Sequence, residues 1–170
     1  GSVQKAFGLP AGLCPLIVSP RAVLRFREIG FDGKYNSLVK MAGRYEKAET
    51  THTPNVLGIY LLARLMEELP PIAEIDQRTK ERQQRYENLI QEHPLFTPLV
   101  NRPANRSHTV VGARADEASI RRVKAEAAEQ GLLLGNGYGQ LKASSFRIAN
   151  FPALQDDEVG RLCHFLSDFR

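Results

Sequence analysis

The chain has 170 residues, inside the usual range of about 100–200 for a single domain. Its 42% hydrophobic and 25% charged residues describe a globular protein and exclude a disordered or fibrous one. A net charge of +4 and a sequence pI of 9.2 suit an anionic ligand, but the charges are mixed in sign along the chain, so nucleic acid is not an expected partner.

The chain opens GSVQKAFGLPAGLC. Gly8-Leu9-Pro10-Ala11-Gly12 is rich in turn-forming residues, so Gln4 and Lys5 are expected in a fixed loop beside a buried sheet. The short apolar runs LCPLIVSP and AVLRF predict strands or a bent strand pair, and residues 28–50 look irregular. At THTPNVLGIYLLARLMEEL a helix is expected, with Thr53 as N-cap and Pro54 in the first helical position. Its apolar residues, from Val56 to Met66, surround most of the circumference and predict burial on more than one side. That stretch is shorter than the roughly 20 residues of a membrane span and contains Arg64, so no membrane insertion is expected.

Pro70 and Pro71 end that helix, and a second, from about Ile72 to Glu92, carries a narrow stripe of Ile72, Ile75, Tyr86, Leu89 and Ile90. It is expected to be a half-solvated connector. Pro94, Pro98 and Pro103 mark an extended passage, and SHTVVGA, LLLG and SSFRIANF are strand candidates. Asp116 predicts the cap of a helix that Gly131 closes. The last helix has Asp156, Asp157 and Glu158 in its first turn and an apolar set of Val159, Leu162, Cys163, Leu166 and Phe169. Cys14 and Cys163 lack the spacing of a redox or zinc motif, which predicts two buried thiols, a reducing cytoplasmic compartment and no metal.

Three blocks, SVQKAFGLPAGLCPLIVSPRA, THTPNVLGIYLLARLME and SSFRIANFPALQDDEVGRLCHFL, resemble successive parts of the class V pyridoxal-phosphate-dependent aminotransferases, with the phosphoserine aminotransferase group nearest. The resemblance implies an α/β chain corresponding to the C-terminal part of the fold type I transferases. Residues 1–70 would be the end of the large cofactor domain, 71–93 a connecting helix, and 94–170 the small C-terminal α/β domain.

By this resemblance, Lys5 is the lysine that holds pyridoxal 5′-phosphate covalently and moves the proton at the substrate α-carbon. Gln4 contacts the cofactor phosphate, His52 and Thr53 reach a partner's cofactor phosphate across a homodimer interface, and Arg147 grips the substrate carboxylate. The implied substrates are an amino acid and a 2-oxo acid. Two features depart from the phosphoserine group: His52 replaces an asparagine, and GNGYGQLKASSFR lacks an adjacent His-Arg pair before the carboxylate arginine, leaving Lys142 as a substitute charge. Other class V transaminases, acting on serine or alanine with glyoxylate or pyruvate, therefore stay open, as does a non-catalytic α/β interaction module. Because the residues that stack on and pair with the cofactor ring in this family precede its lysine, the chain is expected to be the C-terminal half of a longer protein.

Overall fold

Ser19 and Pro20 decide the first helix. The Ser19 hydroxyl accepts the Ala22 N–H at 3.2 Å, and Pro20 stands in the first turn, where its missing N–H costs nothing. The helix α1 (Pro20–Ile29) ends at Gly30, which adopts the left-handed region at φ 66°. In the computed structural model, which describes residues 1–170, AVLRF is thus helix and not the expected strand. A five-residue apolar run carries no decisive periodicity, so the cap and the proline settle it. Ser37 likewise caps α2 (Leu38–Tyr45), a helix inside the stretch expected to be irregular.

The next helix, α3 (Val56–Glu68), begins later than its sequence suggests. Asn55, not Thr53, is the cap: its Oδ1 accepts the Gly58 N–H at 2.9 Å and its carbonyl accepts the Ile59 N–H at 3.0 Å. Pro54 holds Thr53 away from helical backbone angles, and asparagine caps at least as well as threonine. The burial expected around this helix is not met within the chain, where Val56, Leu57, Tyr60 and Met66 are exposed.

Contacts divide the chain into two compact units, Gly1–Glu68 and Leu69–Arg170. In the first, Val3 is the one buried apolar side chain. It contains no strand, so the sheet expected beside Lys5 is absent, and Cys14, expected to be buried, is exposed.

The second unit holds α4 (Ile72–Glu92), β1 (Thr97–Pro98), β2 (Val110–Arg114), α5 (Glu117–Glu129), β3 (Gly135–Asn136), β4 (Ser145–Ala149) and α6 (Asp156–Asp168). The strands form one antiparallel sheet in the order β1-β2-β4-β3. Phe146 and Ile148 of β4 and Val111 and Ala113 of β2 point into one core with Ile120 and Val123 of α5 and Leu166 of α6. Period-two alternation then leaves Arg147 on the opposite face of the sheet. Asp116 caps α5, its Oδ1 accepting the Ser119 N–H at 2.9 Å. Those hydrogen bonds from Ser119 hold the carboxyl below its ordinary pKa. Gln155 and Glu158 form a reciprocal capping box at the start of α6.

The helix α4 packs on β1, β2 and α6. Besides Tyr86 and Ile90 it buries two charged residues, Arg82 and Glu87, whereas Ile72 of the predicted stripe is exposed. Each buried charge has a partner: Arg82 Nε donates to Asp156 at 3.1 Å, and Arg106 Nη1 donates to Glu87 at 2.8 Å. Burial without such pairing would cost several kcal/mol.

His93, after α4, is buried and neutral by its contacts. The Phe169 carbonyl lies 3.0 Å from Nε2, so Nε2 carries the proton, and Nδ1 accepts the Leu95 N–H at 3.1 Å. Burial, the largest influence, lowers its pKa below the ordinary 6.5. The unfolded chain therefore takes up a proton first as pH falls, and stability present above about 6.5 is lost below it. Between pH 7 and 5, the unfolding free energy of the second unit should fall with pH, and the His93→Gln variant should show a shallower slope. Equal slopes in the two proteins would refute this role for His93.

Candidate active site

The predicted site residues fall in both units. Gln4, Lys5, His52 and Thr53 lie in the first and Arg147 lies in the second. Lys5 is held by its backbone. Its N–H donates to the Ser2 carbonyl at 3.3 Å, its carbonyl accepts the Gly8 N–H at 3.0 Å, and Leu9 N–H closes back on the Val3 carbonyl at 3.1 Å. Gly8 permits the tight return by adopting φ 65°. With Val3 buried as the anchor, the side chains of Gln4 and Lys5 project outward and are exposed. No carboxylate pairs with the Lys5 amine.

The loop that follows lies against the start of α3, since a Cβ added at Gly12 would sit 3.5 Å from Asn55 Nδ2. His52 and Thr53 immediately precede this helix. The His52 ring stacks on Tyr35 with centroids 4.4 Å apart, and its Nδ1 meets the Thr51 hydroxyl at 3.1 Å. Its Nε2 and the Thr53 hydroxyl have no protein partner; Asn55 has taken over the capping that sequence assigned to Thr53.

His52 and Tyr35 border an open cleft of about 680 Å³ lined also by Lys34, Lys40, Arg44 and Lys47. Arg44 is paired to Glu49 at 2.5 Å and Lys40 approaches Asp32 at 4.0 Å, so Lys34 and Lys47 are the uncompensated cations there. Sequence reasoning missed this cleft because its cations are spread over residues 34–47, with Asp32, Glu46 and Glu49 within and beside that stretch; only the fold around α2 gathers them.

On the second unit, Arg147 Nε donates to the Asn136 carbonyl at 2.6 Å, and its guanidinium lies 4.1 Å from the centre of the Tyr138 ring. No carboxylate lies within ion-pair distance of it, in contrast with Arg82 and Arg106. Both Nη groups stay open for an acid, the fork geometry that binds a carboxylate through two parallel hydrogen bonds. Asn150, three residues on, ties down backbone: its Nδ2 donates to the carbonyls of Thr79 at 2.8 Å and His108 at 2.7 Å.

The chain matches no protein-family model. It is 29% identical over 173 residues to a phosphoserine aminotransferase of Rhodococcus opacus (strain B4), covering 94% of this chain and 45% of that protein. The structure of a phosphoserine aminotransferase from Cytophaga hutchinsonii superposes with a TM-score of 0.87 at 28% identity, over 98% of this chain and 48% of that one. An alanine–glyoxylate aminotransferase from Nostoc sp. shares the fold, with a TM-score of 0.80 at 17% identity, over 99% of this chain and 46% of that one.

The architecture is therefore α/β and corresponds to part of the fold type I aminotransferases, a class whose cofactor is pyridoxal phosphate. Its sequence likeness is to the phosphoserine aminotransferases and runs through nearly its whole length. It spans about half the length of the curated relatives it matches.

Proposed function

We propose that the chain supplies the lysine and the carboxylate-binding arginine of a pyridoxal-phosphate-dependent transaminase that exchanges an amino group between an amino acid and a 2-oxo acid. The observation that carries this reading is the match to the Cytophaga aminotransferase across 98% of the chain. Residues 1–70 are read as the end of a large cofactor domain, 71–93 as its connecting helix and 94–170 as the small domain.

The side chains present fit the cofactor. Lys5 offers an exposed amine free of any carboxylate, and only an unprotonated amine attacks a carbonyl. Gln4, Thr53 and the open Nε2 of His52 are hydrogen-bonding groups suited to a phosphate, the latter two supplied to the site of a second copy in a homodimer. When bound, the cofactor ring stabilises negative charge at the substrate α-carbon. In this reading Lys5 removes and returns the α-proton, and Arg147 holds the substrate carboxylate.

Phosphoserine, serving serine biosynthesis in the cytoplasm, is the favoured substrate by likeness to the curated relatives. The absence of an adjacent His-Arg pair in GNGYGQLKASSFR favours a second reading, a small neutral amino acid with glyoxylate or pyruvate. Borohydride reduction of the chain mixed with pyridoxal 5′-phosphate, followed by peptide mapping, tests the assignment. A fixed cofactor on Lys5 is expected; labelling spread over Lys34, Lys40 and Lys47 with none on Lys5 would overturn it.

A further inference from the structure

The arginine assigned above to the substrate carboxylate is embedded in a specific local arrangement, and the geometry points to Tyr138 as the residue that positions it. This inference rests on the functional reading of Arg147. In the sheet register, glycine stands opposite Arg147 on both neighbouring strands, Gly112 on β2 and Gly135 on β3. The Gly112 side is filled by Leu99, whose Cδ2 would lie 2.9 Å from an added Cβ. The Gly135 side is left for the arginine: an added Cβ there would lie 3.2 Å from the Arg147 carbonyl and 3.8 Å from its Nη2. The side chain thus lies across β3, with Nε on the Asn136 carbonyl and the guanidinium over the Tyr138 ring.

The backbone that carries the ring is held. The Tyr138 carbonyl accepts the Leu141 N–H at 3.0 Å, and Ser145 Oγ donates to the Leu141 carbonyl at 2.5 Å. Gly137 is packed so closely that a Cβ would run into both Ser145 Oγ and the Leu141 carbonyl. From the other side Lys124 Nζ donates to Asn136 Oδ1 at 3.0 Å and to the Ser145 carbonyl at 3.3 Å, tying β3 to β4. Tyr138 is 75% exposed, so its ring contributes little to the core; its contact with Arg147 is a cation–π pair. A guanidinium held at Nε and on one face keeps its Nη edge in a single orientation, which lowers the ordering cost of binding a carboxylate.

The test uses the whole chain labelled with nitrogen-15 arginine, the Arg147 Nε–H resonance being identified by its loss in Arg147→Lys. The native resonance is expected to be shifted by the tyrosine ring current and to move on addition of L-glutamate. Tyr138→Phe should keep both properties, whereas Tyr138→Ala should abolish the ring-current shift and weaken the glutamate response about two- to fivefold, the size of an exposed cation–π contribution. Unchanged thermal unfolding in Tyr138→Ala would show that the ring acts on the arginine and not on the fold. An Arg147 signal and titration that are the same in Tyr138→Ala as in the native chain would overturn the inference. A signal that depends on Tyr138 but ignores glutamate would instead overturn the carboxylate role of Arg147 itself.

Discussion

Phe146→Ala is expected to destabilise the Leu69–Arg170 unit by about 3–5 kcal/mol, the range for emptying a fully buried phenylalanine site. Phe146 is 0% exposed and meets Phe96 edge to face at 5.2 Å between centroids, so truncation removes a packed aromatic pair as well as buried area. Domains of this kind have only about 5–15 kcal/mol in total, and the loss would leave much of the unit unfolded under mild denaturant. Urea unfolding followed by amide exchange in β2 and β4 measures it. A truncation at Leu57, exposed on α3, provides the contrast and should change stability by no more than about 0.5 kcal/mol. A Phe146→Ala loss below about 1 kcal/mol would mean that the core centre lies elsewhere. Because Arg147 is the next residue on β4, the same substitution should also blur its guanidinium geometry without touching it chemically.

The elements legible in the sequence were those specified locally. Asp116 and Gly131 bracket α5, and the acids at 156–158 with the stripe from Val159 to Phe169 announce α6; cap, dipole and periodicity all agree there. The strand at 145–149 and the outward-facing Arg147 follow from alternation, with Phe146 and Ile148 turned into the core. Where one local signal opposed another, the expectation failed. The β-like run AVLRF follows a serine cap and a proline at the first turn, and helix won; Asn55 displaced Thr53 because Pro54 intervenes. The buried charges of α4 were hidden for a different reason. Arg82 is satisfied by Asp156 and Glu87 by Arg106, partners that only the tertiary fold brings near, so a charged helix face looked solvated. Tyr138 is the same case at the site: nothing in GYGQ distinguishes an exposed loop tyrosine from one that holds an arginine across a strand.

Lys5→Ala is expected to abolish fixation of pyridoxal phosphate by borohydride and, in a preparation that transaminates, to slow turnover by at least about 10²–10⁴-fold, the usual loss when a general acid–base is removed. The physical argument is that the substitution deletes one function and leaves the scaffold alone. The turn is built from backbone hydrogen bonds among Ser2, Val3, Lys5, Gly8 and Leu9, and the Lys5 side chain is exposed, so alanine removes no packed atoms. Its effect on stability should stay within about 0.5 kcal/mol. A structural defect and a missing proton carrier also differ in their cure. A small primary amine added to the variant can take and return the proton that Lys5 would have carried, so partial recovery that rises with amine concentration is expected, whereas a misfolded site would not respond. Lys34→Ala is the matched control, because this lysine is an uncompensated cation at the cleft beside His52 and should label only nonspecifically. Turnover retained in Lys5→Ala, or equal losses in both variants, would remove Lys5 from the chemistry and leave the chain's likeness to the aminotransferases a likeness of fold.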